Sequence, residues 1–459
     1  MDDDEGRGLR SSFFYLKKKL TLTKINIMIK YTLLSSFLIF TCWINAQNVN
    51  IPDANFKALL VNNSSINTNL DSDIQVVEAN TYTGGINIGS GSNISNLTGL
   101  EAFTSLTDLS MFGTLITTLN VSQNTALNTL SCQGNPQLVT LITSGANALT
   151  YLSVAGCPLL INLDLTQNTA LTELSCYSNN LTSLNITQNT SLINLNCRWN
   201  ALSSIDVSSN INLISLDCVG NQLSTLNVSS NVNLVDLACE DNNLTTLNLP
   251  SNSSLEYIGC NGNLLTSLNT SGAASLTALS CENNNLTTLD LSQNLLLSDV
   301  RCRKNNLTSL DLTGANLLTK LYCDTNQLTS LDLSQKLALD VLDCRSNQLN
   351  CLNVANGFNT QITEFYANNN ASLNCIEVDN SAWASANWNA FHDSQSLFSE
   401  NCNNACSSTV GIQELTSDKK LIKTTDLMGR EINPNTQSNI LLINYYDNGT
   451  FDKVFISPK

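Results

Sequence analysis

The chain has 459 residues, of which 42% are hydrophobic, 6% aromatic and 13% charged, with a formal net charge of −16. Residues 51–400 hold 8 basic and 27 acidic side chains, a body too acidic to take nucleic acid or an anionic membrane surface as its main partner. The one histidine, His392, excludes mechanisms that need paired histidines, the usual zinc hydrolase sites among them.

Residues 28–46 read MIKYTLLSSFLIFTCWINA: a lysine, an apolar run from Leu33 to Ile44, and the small-residue site Ile44-Asn45-Ala46. This is the layout of a secretory signal peptide, so the mature protein is expected to be exported and to start at Gln47. Residues 1–27 then read as a non-native upstream extension ahead of Met28. The apolar run is too short for a membrane span and no other segment approaches ~18 apolar residues, so no transmembrane segment is expected.

Residues 47–85 read as an N-terminal cap. Ile51–Leu60 predicts a short helix with Asp53 as N-cap and Phe56, Leu59 and Leu60 on one face. Behind it, Asn67, Asn69, Asp71, Asp73, Gln75 and Glu78 match the oxygen-ligand spacing of a calcium loop. The segment resembles an EF-hand or dockerin loop, with two departures. Asn67 stands where Asp is expected, and Ser72 where Gly makes the sharp turn. The segment is therefore either a calcium site or an inert cap, and the departures favour the cap. No other cofactor is expected.

Self-similarity dominates the chain from residue 86 to residue 378. Cys176, Cys197, Cys218, Cys239, Cys260, Cys281, Cys302, Cys323 and Cys344 are spaced by 21 residues, and an asparagine stands three positions after each, from Asn179 to Asn347. The frame extends upstream through Val154, Cys132 and Met111 to Ile88 and downstream to Ala367, which makes 14 rungs over residues 86–378. A period of this size means a solenoid. Within Leu195-Asn196-Cys197, alternation turns Leu195 and Cys197 inward and Asn194, Asn196 and Arg198 outward, the signature of a strand. Stacked strands about 4.8 Å apart make a parallel sheet on the order of 65 Å long. The asparagine column predicts side-chain amides that satisfy the backbone of the turn after each strand.

The unit Leu192-x-x-Leu195-x-Cys197-x-x-Asn200-x-Leu202 resembles the leucine-rich repeat, with Cys in the third leucine position, and is closest to the short internalin-like bacterial class. The resemblance implies an α/β-type solenoid dominated by a parallel β-sheet, a horseshoe or arc with N- and C-terminal caps. The ladder cysteines read as small buried apolar residues: in-register side chains about 4.8 Å apart exceed the reach of a disulfide. Cys351, Cys375, Cys402 and Cys406 flank the end of the array instead. The stretch from Leu373 to Cys402, with residues 379–406 read as the C-terminal cap, resembles the C-terminal flanking caps of secreted bacterial leucine-rich repeat proteins, which implies a Cys375–Cys402 bond and leaves Cys351 and Cys406 open. His392 falls in this cap and reads as structural.

Residues 407–459 break the repeat and read as a small all-β segment of alternating strands around turns at Gly429 and Asn448-Gly449. The pairing of Asp426-Leu427-Met428-Gly429-Arg430 with Tyr446-Asp447-Asn448-Gly449-Thr450 and Lys453 resembles the C-terminal sorting domain of the type IX secretion system. That implies recognition by type IX machinery, removal of the domain, and a protein secreted or placed on the outer surface of a Gram-negative cell.

No G-x-S-x-G, H-E-x-x-H, C-x-x-C or P-loop motif is present, so an enzyme is not expected. The expected function is binding of a protein or glycan at the cell surface through the concave sheet; the alternative is a structural coat or matrix protein without a specific ligand. Five of the eight cations of residues 51–400, Arg301, Arg303, Lys304, Lys320 and Arg345, fall on or beside three consecutive strands with Tyr322 among them. Arg and Tyr are enriched at binding hot spots, yet neighbouring aspartates offer the plainer role of neutralisation. A second patch combines Tyr151, Tyr177, Arg198 and Trp199.

Overall fold

The computed structural model describes residues 47–251, 254–402, 406, 421–426, 430, 440–446 and 451–456. The signal-like segment, the extension before it, and the turn positions Gly429 and Asn448-Gly449 lie outside the described residues. The chain divides into two compact units, Met1–Cys406 and Ser407–Lys459.

In the first unit one parallel sheet of 14 strands runs from Gly85–Ile88 to Glu364–Tyr366, one strand per repeat. Register is a pure translation of the repeat: Asn194 faces Ser215, Leu195 faces Leu216 and Asn196 faces Asp217. In most of these strands the middle residue is buried while its neighbours are wholly or partly open, as alternation requires; Val341–Asp343, buried throughout, departs from it. Short parallel strands on the opposite wall, Thr225–Asn227 beside Thr246–Asn248 for example, close the coil. Helix is confined to the caps and to single 3-10 turns at Leu100–Ala102 and Asn359–Gln361, among the described residues.

The ladder cysteines, with Cys157, are buried free thiols. Burial pushes their pKa values up, to about 12 for Cys176, Cys260 and Cys302, so no reactive thiolate forms near neutral pH. The Cys239 Sγ lies 3.3 Å from the Gly259 carbonyl oxygen of the next rung. A serine there inherits an acceptor; Cys281, for which no such contact exists among the described residues, gives a serine hydroxyl nothing. Cys281→Ser should therefore destabilise by about 1–3 kcal/mol and Cys239→Ser by less, measured by urea denaturation. Equal losses would show that the carbonyl contact does not matter.

The asparagine column ties each rung to the one before. The Asn200 Nδ2 donates to the carbonyls of Cys176 (2.9 Å) and Cys197 (3.0 Å), while its Oδ1 accepts the Leu181 N–H at 3.0 Å. A second column on the opposite wall was not anticipated from the sequence. Asn168, Asn189, Asn210 and Asn231 are fully buried. Asn210 donates to Ile186 (3.1 Å) and Asn189 (2.8 Å) carbonyls, and Asn231 repeats the pattern one rung on. Lys336 stands in this column in its own rung. Its buried ammonium donates to the Leu312 carbonyl at 2.8 Å and to Asn316 Oδ1 at 3.1 Å, and burial pulls its pKa down.

Both ends of the stack are covered. At the start, α1 (Ala54–Val61) is capped by Asp53, whose Oδ1 accepts the Asn55 and Phe56 N–H groups at 3.0 Å, and Phe56 and Leu60 are buried. In the calcium-like loop, Glu78 of α2 (Val76–Thr81) turns back on the chain. Its Oε1 accepts from Thr68 N (2.8 Å), Thr68 Oγ1 (2.9 Å) and Asn69 N (3.2 Å), and its Oε2 from Gln75 N (3.0 Å). Asp73 pairs with Lys57, Asn69 donates to Asp71 at 3.0 Å, and the Asn67 amide holds the Val61 and Asp71 carbonyls. Glu78 thus joins the loop to the start of α2, and Asp73 joins it to α1 through Lys57.

At the far end, α3 (Ser381–Trp388) lays Trp388 flat on Phe365 of the last long-sheet strand, ring centroids 4.3 Å apart. Two disulfides fasten this cap, Cys375–Cys402 and Cys351–Cys406. His392 packs on Phe398 and its Nδ1 sits 2.8 Å from the Asp393 carbonyl.

The second unit contains a three-stranded antiparallel sheet, Leu421–Asp426, Ile440–Tyr446 and Phe451–Ile456, with the middle strand in sequence also the middle of the sheet.

Candidate functional site

Each repeat presents three outward positions on the long sheet: the first and third strand residues and the one two beyond. The next residue turns the chain away through a left-handed backbone. Gly134, Gly156, Gly220 and Gly262 occupy this column, but so do Ser178, Trp199, Asp241, Asn283 and Lys304, all at φ between 52° and 67°. A bulky side chain costs about 1–2 kcal/mol there. Trp199 bears that strain with its side chain 51% exposed, and the ring lies over Gly220, where an added Cβ would come within 2.4 Å of it.

The five cations singled out by spacing do converge on adjacent strands: Asp299 faces Lys320, and Arg301 faces Tyr322. Their guanidinium groups are largely engaged within the patch. Arg301 grips Asp299 with two bonds of 3.1 and 3.0 Å, and Arg345 grips Asp343 with bonds of 2.9 and 2.6 Å. Those bonds push both arginines above the ordinary guanidinium value. Arg303 lies between Glu282 (3.1 Å) and Asp324 (3.4 Å). Tyr322 supports Arg301 and Arg303 at 5.2 and 4.8 Å, and Tyr366 supports Arg345 at 4.8 Å. Lys304 and Lys320 form no ion pair among the described residues.

The second patch is built differently. Arg198 lies 5.3 Å from the Tyr177 ring centre and 4.2 Å from that of Trp199, and reaches Asp217 through a single contact of 3.6 Å. Its Nε is buried without a hydrogen-bond partner. Beside it the sheet surface sinks into a hollow of about 300 Å³, lined by Tyr151, Glu173, Leu174, Ser175, Asn194, Leu195, Asn196, Ser215 and Asp217. Apart from Tyr151, spacing and residue type did not single out this lining. Its signal was a run of small and amide residues at outward positions between larger ones.

Between the patches, Glu240 folds over Gly259, where an added Cβ would come within 2.0 Å of Oε1. Tyr257 donates its hydroxyl to that oxygen at 3.1 Å, while Oε2 is buried and unpartnered. Burial raises the Glu240 pKa, and hydrogen bonds offset only part of the rise. A carboxyl raised in the folded state is destabilising when ionised. The penalty is absent below the unfolded value and grows as pH climbs through the folded one. Glu240→Gln should accordingly raise the melting temperature at pH 7, with the gain vanishing as pH falls below the ordinary glutamate range. A gain independent of pH would refute this electrostatic account.

No protein-family model and no curated protein sequence matches the chain. Solved structures do. The functional domain of InlJ from Listeria monocytogenes, which includes a cysteine ladder, is 26% identical over 90% of this chain and 98% of that one, with a TM-score of 0.62. The fold is the leucine-rich repeat. An internalin, InlF of the same organism, agrees in fold at 17% identity and a TM-score of 0.54 over 69% of this chain and 95% of that one. The repeats thus supply a scaffold that presents outward-facing side chains along one long sheet. Among the described residues no group of three or more His, Cys, Asp or Glu is placed to hold a metal ion, and no helix is long and apolar enough to cross a membrane.

Proposed function

We propose that this leucine-rich repeat protein is exported and binds a protein or glycan partner on its concave sheet. The observation that carries the reading is the concentration of outward-facing aromatic and basic residues on that one face, most of them half-buried with Trp199, Arg301 and Lys304 exposed, set in an otherwise acidic array. The signal-like segment at residues 28–46 supports export. The motif resemblance of residues 407–459 supports a type IX sorting domain and a Gram-negative outer surface, and the separate small β-unit there is compatible with a removable signal.

Two experiments test this. Glycan and host-protein screens with the recombinant chain should give dose-dependent binding. The triple substitution Arg301→Ser, Arg303→Ser, Lys320→Ser should weaken binding of an acidic partner and flatten its salt dependence. Reversible self-association without ligand binding would favour a matrix role instead. Deleting residues 407–459 should hold the array in the periplasm with its melting unchanged, and surface display of the truncated protein would refute the sorting assignment.

A further inference from the structure

We infer that the hollow between Tyr151 and Asp217 is a saccharide subsite that takes a neutral, hydroxyl-rich sugar chain. This rests on the concave-sheet reading above and names the ligand class for one part of that face.

The lining decides the chemistry. Ser175, Asn194, Asn196 and Ser215 offer hydroxyl and amide groups that both donate and accept, while Glu173 and Asp217 are acceptors when ionised. Hydroxyl groups satisfy such a mixed set, since each can donate to a carboxylate and accept from an amide. An anionic ligand would meet two carboxylates against one guanidinium, that of Arg198, which Asp217 already attracts at 3.6 Å. A peptide strand fits poorly as well. The strands under the hollow are paired on both sides, so no backbone edge is open for strand addition.

Shape points the same way. Three strand-to-strand steps separate Tyr151 from Ser215, about 14 Å of surface. The buried Leu174 and Leu195 lie among the polar side chains of the lining, Tyr151 lines one end, and Tyr177 and Trp199 flank Arg198, which reaches Asp217 of the lining. Aromatic rings flanking a few convergent polar groups suit the apolar C–H faces and polar rims of sugar rings. Trp199 is also held at φ 54°, a backbone state in which glycine would be unstrained, and Gly220 leaves the room its ring occupies. Folding does not call for an exposed indole at that position.

The test uses the full chain, with cellohexaose, maltohexaose, laminarihexaose and chitohexaose as neutral probes, polygalacturonate as an acidic one and denatured casein as a polypeptide. Titration calorimetry should detect at least one neutral hexasaccharide. Trp199→Gly should weaken that binding at least tenfold without lowering the melting temperature, because it removes the indole and relieves the backbone. Ser215→Leu, which fills the hollow, should weaken it comparably. Failure of all four neutral probes, or binding that survives both substitutions, overturns the subsite. Binding of polygalacturonate or casein alone, lost on Arg301→Ser with Lys320→Ser, overturns it while leaving the concave-sheet reading in place. No binding by any probe overturns both.

Discussion

Asn242→Ala is expected to destabilise the array by about 3–5 kcal/mol, far more than its small change in volume would suggest. The Asn242 side chain is buried, and its Nδ2 lies 3.0 Å from the Cys218 carbonyl oxygen and 3.2 Å from that of Cys239. Its Oδ1 accepts the Leu223 N–H at 3.0 Å. Alanine abolishes these bonds, and a further one of 3.1 Å to the Glu240 carbonyl, and strands at least one buried N–H and one buried carbonyl, each worth about 1–3 kcal/mol. A solenoid draws its stability from contacts between neighbours, so the damage should be local. Hydrogen exchange at the Leu223 amide should accelerate strongly while rungs several repeats away keep their protection. Asn243, the next residue, is exposed, and Asn243→Ala should change stability by less than about 0.5 kcal/mol. A loss below about 1 kcal/mol at Asn242 would mean that water takes the place of the amide.

The second large effect is expected at the C-terminal cap. The Cys375–Cys402 bond closes a separation of 27 residues and Cys351–Cys406 one of 55. Chain-entropy arguments put their separate removal at about 3.5 and about 4 kcal/mol. Replacing either pair by alanine should loosen α3 from the last strand, exposing the stacked Trp388 and Phe365 and shifting tryptophan fluorescence to the red before the array unfolds. Mild reduction and then alkylation should label these four sulfurs and leave the ladder cysteines unmodified, since the latter are buried with raised pKa values. Labelling of Cys239 or Cys281 under native conditions would contradict the burial of the ladder.

The repeat carried most of the fold on its face. A fixed translation of 21 residues sends every equivalent side chain the same way, so the cysteine column, the first asparagine column and the 14 strands were all legible from spacing. The Cys375–Cys402 pairing came through the resemblance of the cap, and the structure contains it. The second asparagine column was equally periodic in Asn168, Asn189, Asn210 and Asn231, but it lies in the less regular half of the unit, where its period is harder to see. On the concave face, spacing placed the cations together without revealing what they touch.

Translation along a linear stack therefore determined which residues face inward, which face outward and which rungs adjoin. Tertiary structure alone decided the rest. It joined Cys351 to Cys406, turned Arg301 and Arg345 back onto aspartates of their own strands, and set Arg198 between Tyr177 and Trp199 beside a hollow. The reason is that the repeat constrains backbone position and side-chain direction. Which partner a long, charged side chain then takes depends on rotamers and on the size of its neighbours, and these vary from rung to rung while the period does not.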